Sequence, residues 1–136
     1  MAITDVNAVV RSYLATCGTL TALIGGVNPR IYCPRLPENA TLPALSFFSR
    51  GGVNNPYIPG IITTSIQVDC WASTSIVARQ IYRTLYDNLQ GIQDTTVGAY
   101  KILSAIEEVQ GQDLVDSEIP DYFRVLSFWS LMIRAE

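Results

Sequence analysis

The chain has 136 residues, which suits one folded domain with a core of its own, and we place that domain over residues 1–136. Its formal net charge is −3, it has no run of basic residues, and it contains no histidine. The charge argues against a protein that binds duplex DNA, because such a protein needs a basic face. Without histidine, the chain lacks the commonest general base and the commonest zinc ligand. No basic start precedes an apolar run and no apolar stretch reaches about 18 residues, so we expect neither a signal peptide nor a membrane span.

The composition is unusually poor in charge for a small protein. Hydrophobic residues make up 49% of the chain and charged residues 15%, whereas a typical domain has about 25% charged residues. This balance favours a protein that buries part of its surface against other subunits. The alternative is a compact monomer whose surface is covered by Ser, Thr, Asn and Gln.

The N-terminal part of the chain predicts helices followed by irregular chain. Thr4 or Asp5 can cap a first helix, because apolar residues recur at helical spacing over residues 6–14. A short second helical turn ends at the glycine pair 25–26. Residues 27–43 contain four prolines, which remove backbone donors and predict an extended, irregular segment.

The middle of the chain predicts a hairpin. Residues 44–50 and 61–71 have the β-branched, aromatic and alternating pattern of strands. Residues 51–60 between them are too rich in Gly, Pro and Asn for regular structure and predict a long loop. We therefore expect two antiparallel strands with a long connection.

The rest of the chain predicts a helix and a second hairpin. Ser73 or Thr74 can cap the helix, which Gly91 closes, and strands follow over residues 99–111 and 121–135. The last strand is apolar on both faces, so it is either central in the sheet or covered on its second face by another subunit. The order α-(α)-β-β-α-β-β predicts an α+β fold, a largely antiparallel four-stranded sheet of two hairpins packed on two main helices.

No arrangement of residues predicts catalysis. Glu107 and Glu108 are adjacent on a strand and therefore point to opposite faces, where they cannot share a substrate atom. Cys17, Cys33 and Cys70 lie far apart, without a Cys-x-x-Cys spacing or a histidine partner, and are expected to be free thiols. We expect no enzymatic activity, no cofactor and no metal site.

The loop between the first two strands is the best candidate for an interface. It holds apolar side chains on a segment stiffened by two prolines, which suits anchoring to a partner. The alternative is a hairpin tip that has no partner. The candidate interface residues are Asn54, Asn55, Pro56, Tyr57, Ile58 and Pro59.

A series of short segments over residues 6–133 forms a recognisable pattern. After the opening helix come Leu-Thr-Ala-Leu-Ile-Gly-Gly at 20–26, Arg-Ile-Tyr at 30–32 with a following proline at 34, Leu-Pro at 42–43, Ile-Gln-Val-Asp-Cys-Trp-Ala at 66–72 and Tyr-Phe-Arg-Val-Leu-Ser-Phe at 122–128. In this order and spacing they resemble the tail-completion, or tail terminator, proteins of long-tailed, siphovirus-type bacteriophages. The loop 51–60 and the acidic segment 112–120 depart from that pattern, which leaves the details of partner contacts open.

The resemblance implies a structural virion protein. Proteins of this family form a ring, commonly of six subunits, at the head-proximal end of the tail, where it ends polymerisation of the tail tube and joins the tail to the head connector. The implied partners are further copies of the chain, the tail tube protein and the connector or neck proteins, with assembly in the host cytoplasm. By the same analogy, residues 54–59 make axial or inter-subunit contacts.

DNA that passes through such a ring should not be held by it. Basic side chains would bind phosphate and slow the DNA, so acidic or neutral ones are expected along the channel. Asp113, Asp116 and Glu118 are the candidates for this lining, and a solvated turn is the simpler interpretation of the same residues.

Two other functions remain open from the sequence. One is a head-side connector or neck ring at the same junction of the particle. The other is a small soluble ligand-binding module, which needs a concave pocket with a few convergent polar groups.

Overall fold

The computed structural model describes residues 5–27, 29–37, 41–54, 57, 60–115 and 122–135, and structural statements below concern these residues. They form three helices and six strands. The helices are α1 (Val6–Thr16), α2 (Gly18–Thr21) and α3 (Ser75–Leu89), and the strands are β1 (Ile31–Tyr32), β2 (Ala44–Asn54), β3 (Ile61–Ala72), β4 (Gln93–Val97), β5 (Tyr100–Val115) and β6 (Phe123–Ala135).

The two longer helices begin where the sequence predicts. The Asp5 carboxylate accepts a hydrogen bond from the Ala8 N–H at 3.4 Å and caps α1. The Thr74 hydroxyl accepts one from the Val77 N–H at 3.3 Å and caps α3. Each helix turns an apolar stripe toward the sheet, which confirms the helical spacing noted above.

The strands form one six-stranded sheet in the order β1-β2-β3-β6-β5-β4. The β1–β2 pair is parallel and the other pairs are antiparallel, so the sheet is mixed. The predicted four-stranded, largely antiparallel sheet packed on two main helices is therefore wrong, and the protein is mostly β with few helices. The two predicted hairpins are present, but β3 also pairs with β6 and joins them at the centre of the sheet.

The two strands that the sequence does not predict are the edge strands. β1 is two residues long and lies in the proline-rich segment, where the Arg30 carbonyl accepts a hydrogen bond from the Leu45 N–H at 2.9 Å. β4 reads Gln-Asp-Thr-Thr-Val, which has no alternating apolar residues. Both segments become strands because a neighbouring strand provides hydrogen-bond partners for their backbone, which the local sequence pattern does not reveal.

Strand β2 also extends further than predicted. It continues through Gly51 and Gly52 to Asn54, with a bulge between Ser49 and Gly52. Gly51 has a φ of 85°, a conformation that favours glycine, and a Cβ on Gly52 would lie 1.9 Å from the Thr63 carbonyl oxygen. The glycines that predicted a loop instead shape a bulge inside the strand.

The core lies between the helices and one face of the sheet, which we call the inner face. α1 contacts both β2 and β4, strands near opposite edges, so the sheet must curl around the helices. The alternation predicted for β3 and β6 is confirmed over most of each strand, because every second residue is buried there over residues 64–72 of β3 and 125–133 of β6. The inner-face core residues of these strands are Ile66, Val68, Cys70, Val125, Trp129, Leu131 and Ile133.

Candidate assembly surface

The opposite face of the sheet, the outer face, carries apolar side chains of its own. Phe48 on β2 pairs with Gln67 on β3, Gln67 pairs with Phe128 on β6, and Phe128 pairs with Val109 on β5. Residues paired across strands point to the same face, so this row crosses four strands. Phe48 and Phe128 are half-buried and Val109 is exposed.

Further apolar residues widen this row along β5 and β6. Ile106 is 57% exposed, Met132 is 36% exposed, and Leu126 is half-buried. We call the whole set the outer-face patch, which consists of Phe48, Ile106, Val109, Leu126, Phe128 and Met132. Several partly exposed apolar side chains on one face of a small protein are typical of an interaction surface.

Two arginines lie over aromatic rings of the outer face. The Arg50 guanidinium lies 4.3 Å from the centroid of the Phe128 ring, and that of Arg124 lies 5.2 Å from the Trp71 ring. Stacking in this way holds the arginines against the sheet. Arginine and aromatic residues contribute much of the binding energy at protein interfaces. The outer face therefore has the composition of a protein interface.

A polar cluster borders the outer-face patch where β3 ends. The Trp71 indole N–H donates to the Ser46 hydroxyl at 2.9 Å, and the Trp71 ring meets Tyr122 edge to face. Asp69 is 5% exposed and lies 3.8 Å from the Arg124 guanidinium. Burial raises the pKa of Asp69 although Arg124 opposes the rise. One Asp69 carboxylate oxygen, Oδ1, has no hydrogen-bond partner among the described residues.

Of the sequence-predicted interface residues, Asn54 and Tyr57 are described, at the end of the sheet where β2 ends. Asn54 is the last residue of β2, and Tyr57 is 89% exposed. The other four residues of that prediction, Asn55, Pro56, Ile58 and Pro59, lie outside the described residues. Whether this loop contacts a partner stays a prediction.

Of the predicted acidic lining, only Asp113 lies among the described residues. Ile61 pairs with Arg134 and Ala72 with Phe123, so β2 ends and β5 ends at opposite ends of the sheet. Asp113 lies on β5 toward the end at which β6 begins, with its side chain exposed and 3.6 Å from Arg79. Asp116 and Glu118 lie outside the described residues. Asp113 and Asn54 therefore lie toward opposite ends of the sheet.

The side chains with acid–base potential are dispersed. The Tyr82 hydroxyl donates to Glu107 on the inner side of the sheet, while the Ser65 hydroxyl donates to Glu108 at 2.6 Å on the outer side, so the predicted divergence of these carboxylates is confirmed. Cys17, Cys33 and Cys70 are free, and burial raises the pKa of the thiols of Cys17 and Cys70. Unreactive thiols follow from such burial.

The described part of the chain lacks two further features. There, no three Cys, Asp or Glu side chains come together in a way that could hold a metal ion. Nor does any of the helices described there have the length and apolar character needed to cross a membrane.

Comparison with known proteins gives a likeness in fold. No protein-family model and no curated protein matches the chain. Among solved structures, the chain is similar to a chain of the virion of a native gene transfer agent (GTA) particle, with 16% sequence identity and a TM-score of 0.61. The likeness covers 96% of this chain and 95% of the other, so the two share one fold over their whole length.

Proposed function

We propose that this protein is a structural subunit of a phage-like virion and that it forms a ring at the head-proximal end of the tail. The outer-face patch carries the proposal, because apolar residues flanked by stacked arginines suit a surface that copies of the chain cover in an assembly. The fold shared with a chain of a gene transfer agent virion supports a place in such a particle.

A ring that caps a tube needs two kinds of contact. A head-to-tail contact between copies closes the ring, and a separate contact along the axis meets the next protein. The chain offers separate surfaces for these tasks, since the outer-face patch lies across β2, β3, β6 and β5 and the ends of these strands lie at two opposite ends of the sheet. We assign the patch to contacts between copies and the two ends to axial partners, the tail tube protein and the head connector.

In the assembled ring, the acidic end lies beside the DNA channel in this proposal. Asp113 is exposed at that end, and its carboxylate faces a single arginine at 3.6 Å. The Asp113 carboxylate offsets the charge of Arg79, which limits how strongly this arginine can hold phosphate, and DNA slides past without sequence-specific binding in this proposal. The proposed work of the subunit is shape and surface matching, without catalysis or a cofactor.

The test is a tube-capping experiment with the full chain. The purified protein is added to polymerising tail tube protein, and the particles are imaged by electron microscopy alongside light scattering of the chain alone. We expect six-membered rings at tube ends and shorter tubes. Rings that bind only head connectors would replace the terminator role with that of a head-side neck ring, and a chain that stays monomeric with both partners would refute ring formation.

A further inference from the structure

A groove lies along α3, on the side of the molecule away from the outer-face patch. The buried residues of α3 pack on the inner face of the sheet, and the groove runs beside the exposed side of the helix. Its volume is about 500 Å³, and it is lined by Ser75, Ile76, Arg79, Gln80, Arg83 and Asp113. The proposed contact between copies does not use this surface, and Asp113 is the one residue of its lining that the predicted channel lining also contains.

The groove concentrates positive charge in an acidic protein. Arg79 and Arg83 are four residues apart and so lie on one face of the helix. Arg79 is held in place, because its guanidinium donates to the Gly111 carbonyl at 3.3 Å and stacks on the Tyr82 ring at 5.1 Å. Such anchoring reduces the conformational entropy that the arginine would lose on binding.

One carboxylate does not balance the two guanidinium groups. Asp113 lies 3.6 Å from Arg79, and both side chains remain open to solvent, so this ion pair is weak. Arg83 is exposed and has no ion-pair partner among the described residues. An added carboxylate could therefore bind Arg83 without displacing an existing partner.

An apolar side chain sits at the start of the same groove. Ile76 is 80% exposed, one helical turn before Arg79. A partner that covers Ile76 gains from removing its apolar surface from water. The groove therefore offers an apolar contact and two cationic contacts in a line along the helix.

We propose that this groove binds an acidic segment of another protein in which an apolar side chain lies next to the carboxylates. Carboxylates of the segment pair with Arg79 and Arg83, and its apolar side chain covers Ile76. Nucleic acid fits less well, because the exposed Ile76 gives a phosphate backbone nothing to contact. This inference is independent of ring formation, since a single subunit contains every residue of the groove.

The test measures binding of a fluorescein-labelled peptide of Leu, Asp and Glu to the full chain by fluorescence anisotropy. A peptide with Lys in place of Asp and Glu and a labelled DNA duplex serve as comparison probes. We expect the acidic peptide alone to bind, with weaker binding as salt increases. Preferential binding of the duplex, or equal binding of both peptides, would overturn the proposal.

Variants locate the binding to the groove. Arg83→Glu should weaken binding of the acidic peptide about tenfold, and Ile76→Ser should weaken it about threefold. Arg11→Glu is the matched control, since Arg11 is an exposed arginine on α1 and its reversal changes the net charge by the same amount. We expect this control to bind like the original chain, and equal weakening in Arg11→Glu and Arg83→Glu would contradict a local site.

A second measurement separates an external partner from another copy of the chain. Light scattering of Arg83→Glu should show the same oligomeric state as the original chain, and its melting temperature should be unchanged. If Arg83→Glu instead dissociates an assembly, the groove is a contact between copies and the proposal of an external acidic segment fails. Loss of ring formation in outer-face variants has no bearing on this result.

Discussion

Strand β6 has two apolar faces that differ in what covers them. On the inner face, Trp129, Leu131 and Ile133 are fully buried under the helices. On the outer face, Leu126, Phe128 and Met132 alternate with them and remain partly exposed. The same strand thus holds residues that stabilise the subunit and residues that we assign to assembly, and hydrophobicity alone does not distinguish the two. The following predictions test this division, in order of the expected change in the free energy of unfolding.

The largest effect is expected for Trp129→Ala on the inner face. Trp129 is completely buried, and its indole N–H donates to the Ser127 hydroxyl at 2.9 Å. The substitution leaves a large cavity, so the free energy of unfolding should fall by about 3–5 kcal/mol, as measured by urea denaturation. A loss below about 1 kcal/mol would show that the inner face is not the main core.

Gly52→Ala should come next, because the bulge at this glycine sets which side chains of β2 point outward. A Cβ there would overlap the Thr63 carbonyl oxygen, so the strands must separate. We expect a loss of about 1–3 kcal/mol in chemical denaturation. Gly18→Ala is the matched control, since a Cβ on Gly18 meets nothing within 4 Å and alanine favours a helix. If Gly18→Ala is as destabilising as Gly52→Ala, the close approach is not the cause.

Asp69→Asn tests the buried carboxylate at the border of the outer-face patch. The pKa of Asp69 is higher in the folded protein than its ordinary value of 3.8, so folding disfavours the charged carboxylate. As the pH rises from 3.8 through the raised pKa, Asp69 therefore lowers the free energy of unfolding. Asparagine cannot ionise, so the variant should lack this part of the pH dependence and gain stability relative to the original chain above that range. The measurement is the denaturation midpoint as a function of pH, and parallel profiles for the two proteins would contradict the assignment.

The smallest change in stability, with the clearest change in assembly, is expected for Phe128→Ala. Its ring is half-buried and stacks under Arg50, so we expect a loss of about 1 kcal/mol or less. Ring formation with the tube protein should nevertheless be lost, as seen by light scattering and electron microscopy. Val27→Ala is the control, because Val27 is 96% exposed outside the patch. Rings that persist in Phe128→Ala would remove the outer-face patch from the proposed interface.

The helices could be predicted because their signals are local. Asp5 and Thr74 cap α1 and α3 from within the same turn, and the apolar spacing of each helix follows from its own sequence. The β2–β3 hairpin was also predictable, since its strands are neighbours in sequence. These elements need no knowledge of the rest of the chain.

The outer-face patch could not be predicted in the same way. Phe48, Phe128 and Val109 form one row only because β3 pairs with β6, strands separated by a helix and two further strands. The sequence showed that the last strand is apolar on both faces but not which residues of other strands lie beside it. The edge strands β1 and β4 and the bulge at Gly52 have a different cause, because their own residues have no strand-like alternation and only pairing with the adjacent strand makes them extended.

The two ends of the sheet differ in charged side chains, which has a consequence for how copies could stack. The end at which β3 begins carries the exposed Arg134, and the end at which β6 begins carries the exposed carboxylate of Asp113 beside Arg79. Copies arranged side by side with parallel strands would give the ring two rims of different charge. Such a particle would have built-in polarity, so an inverted ring would offer each axial neighbour the wrong chemistry.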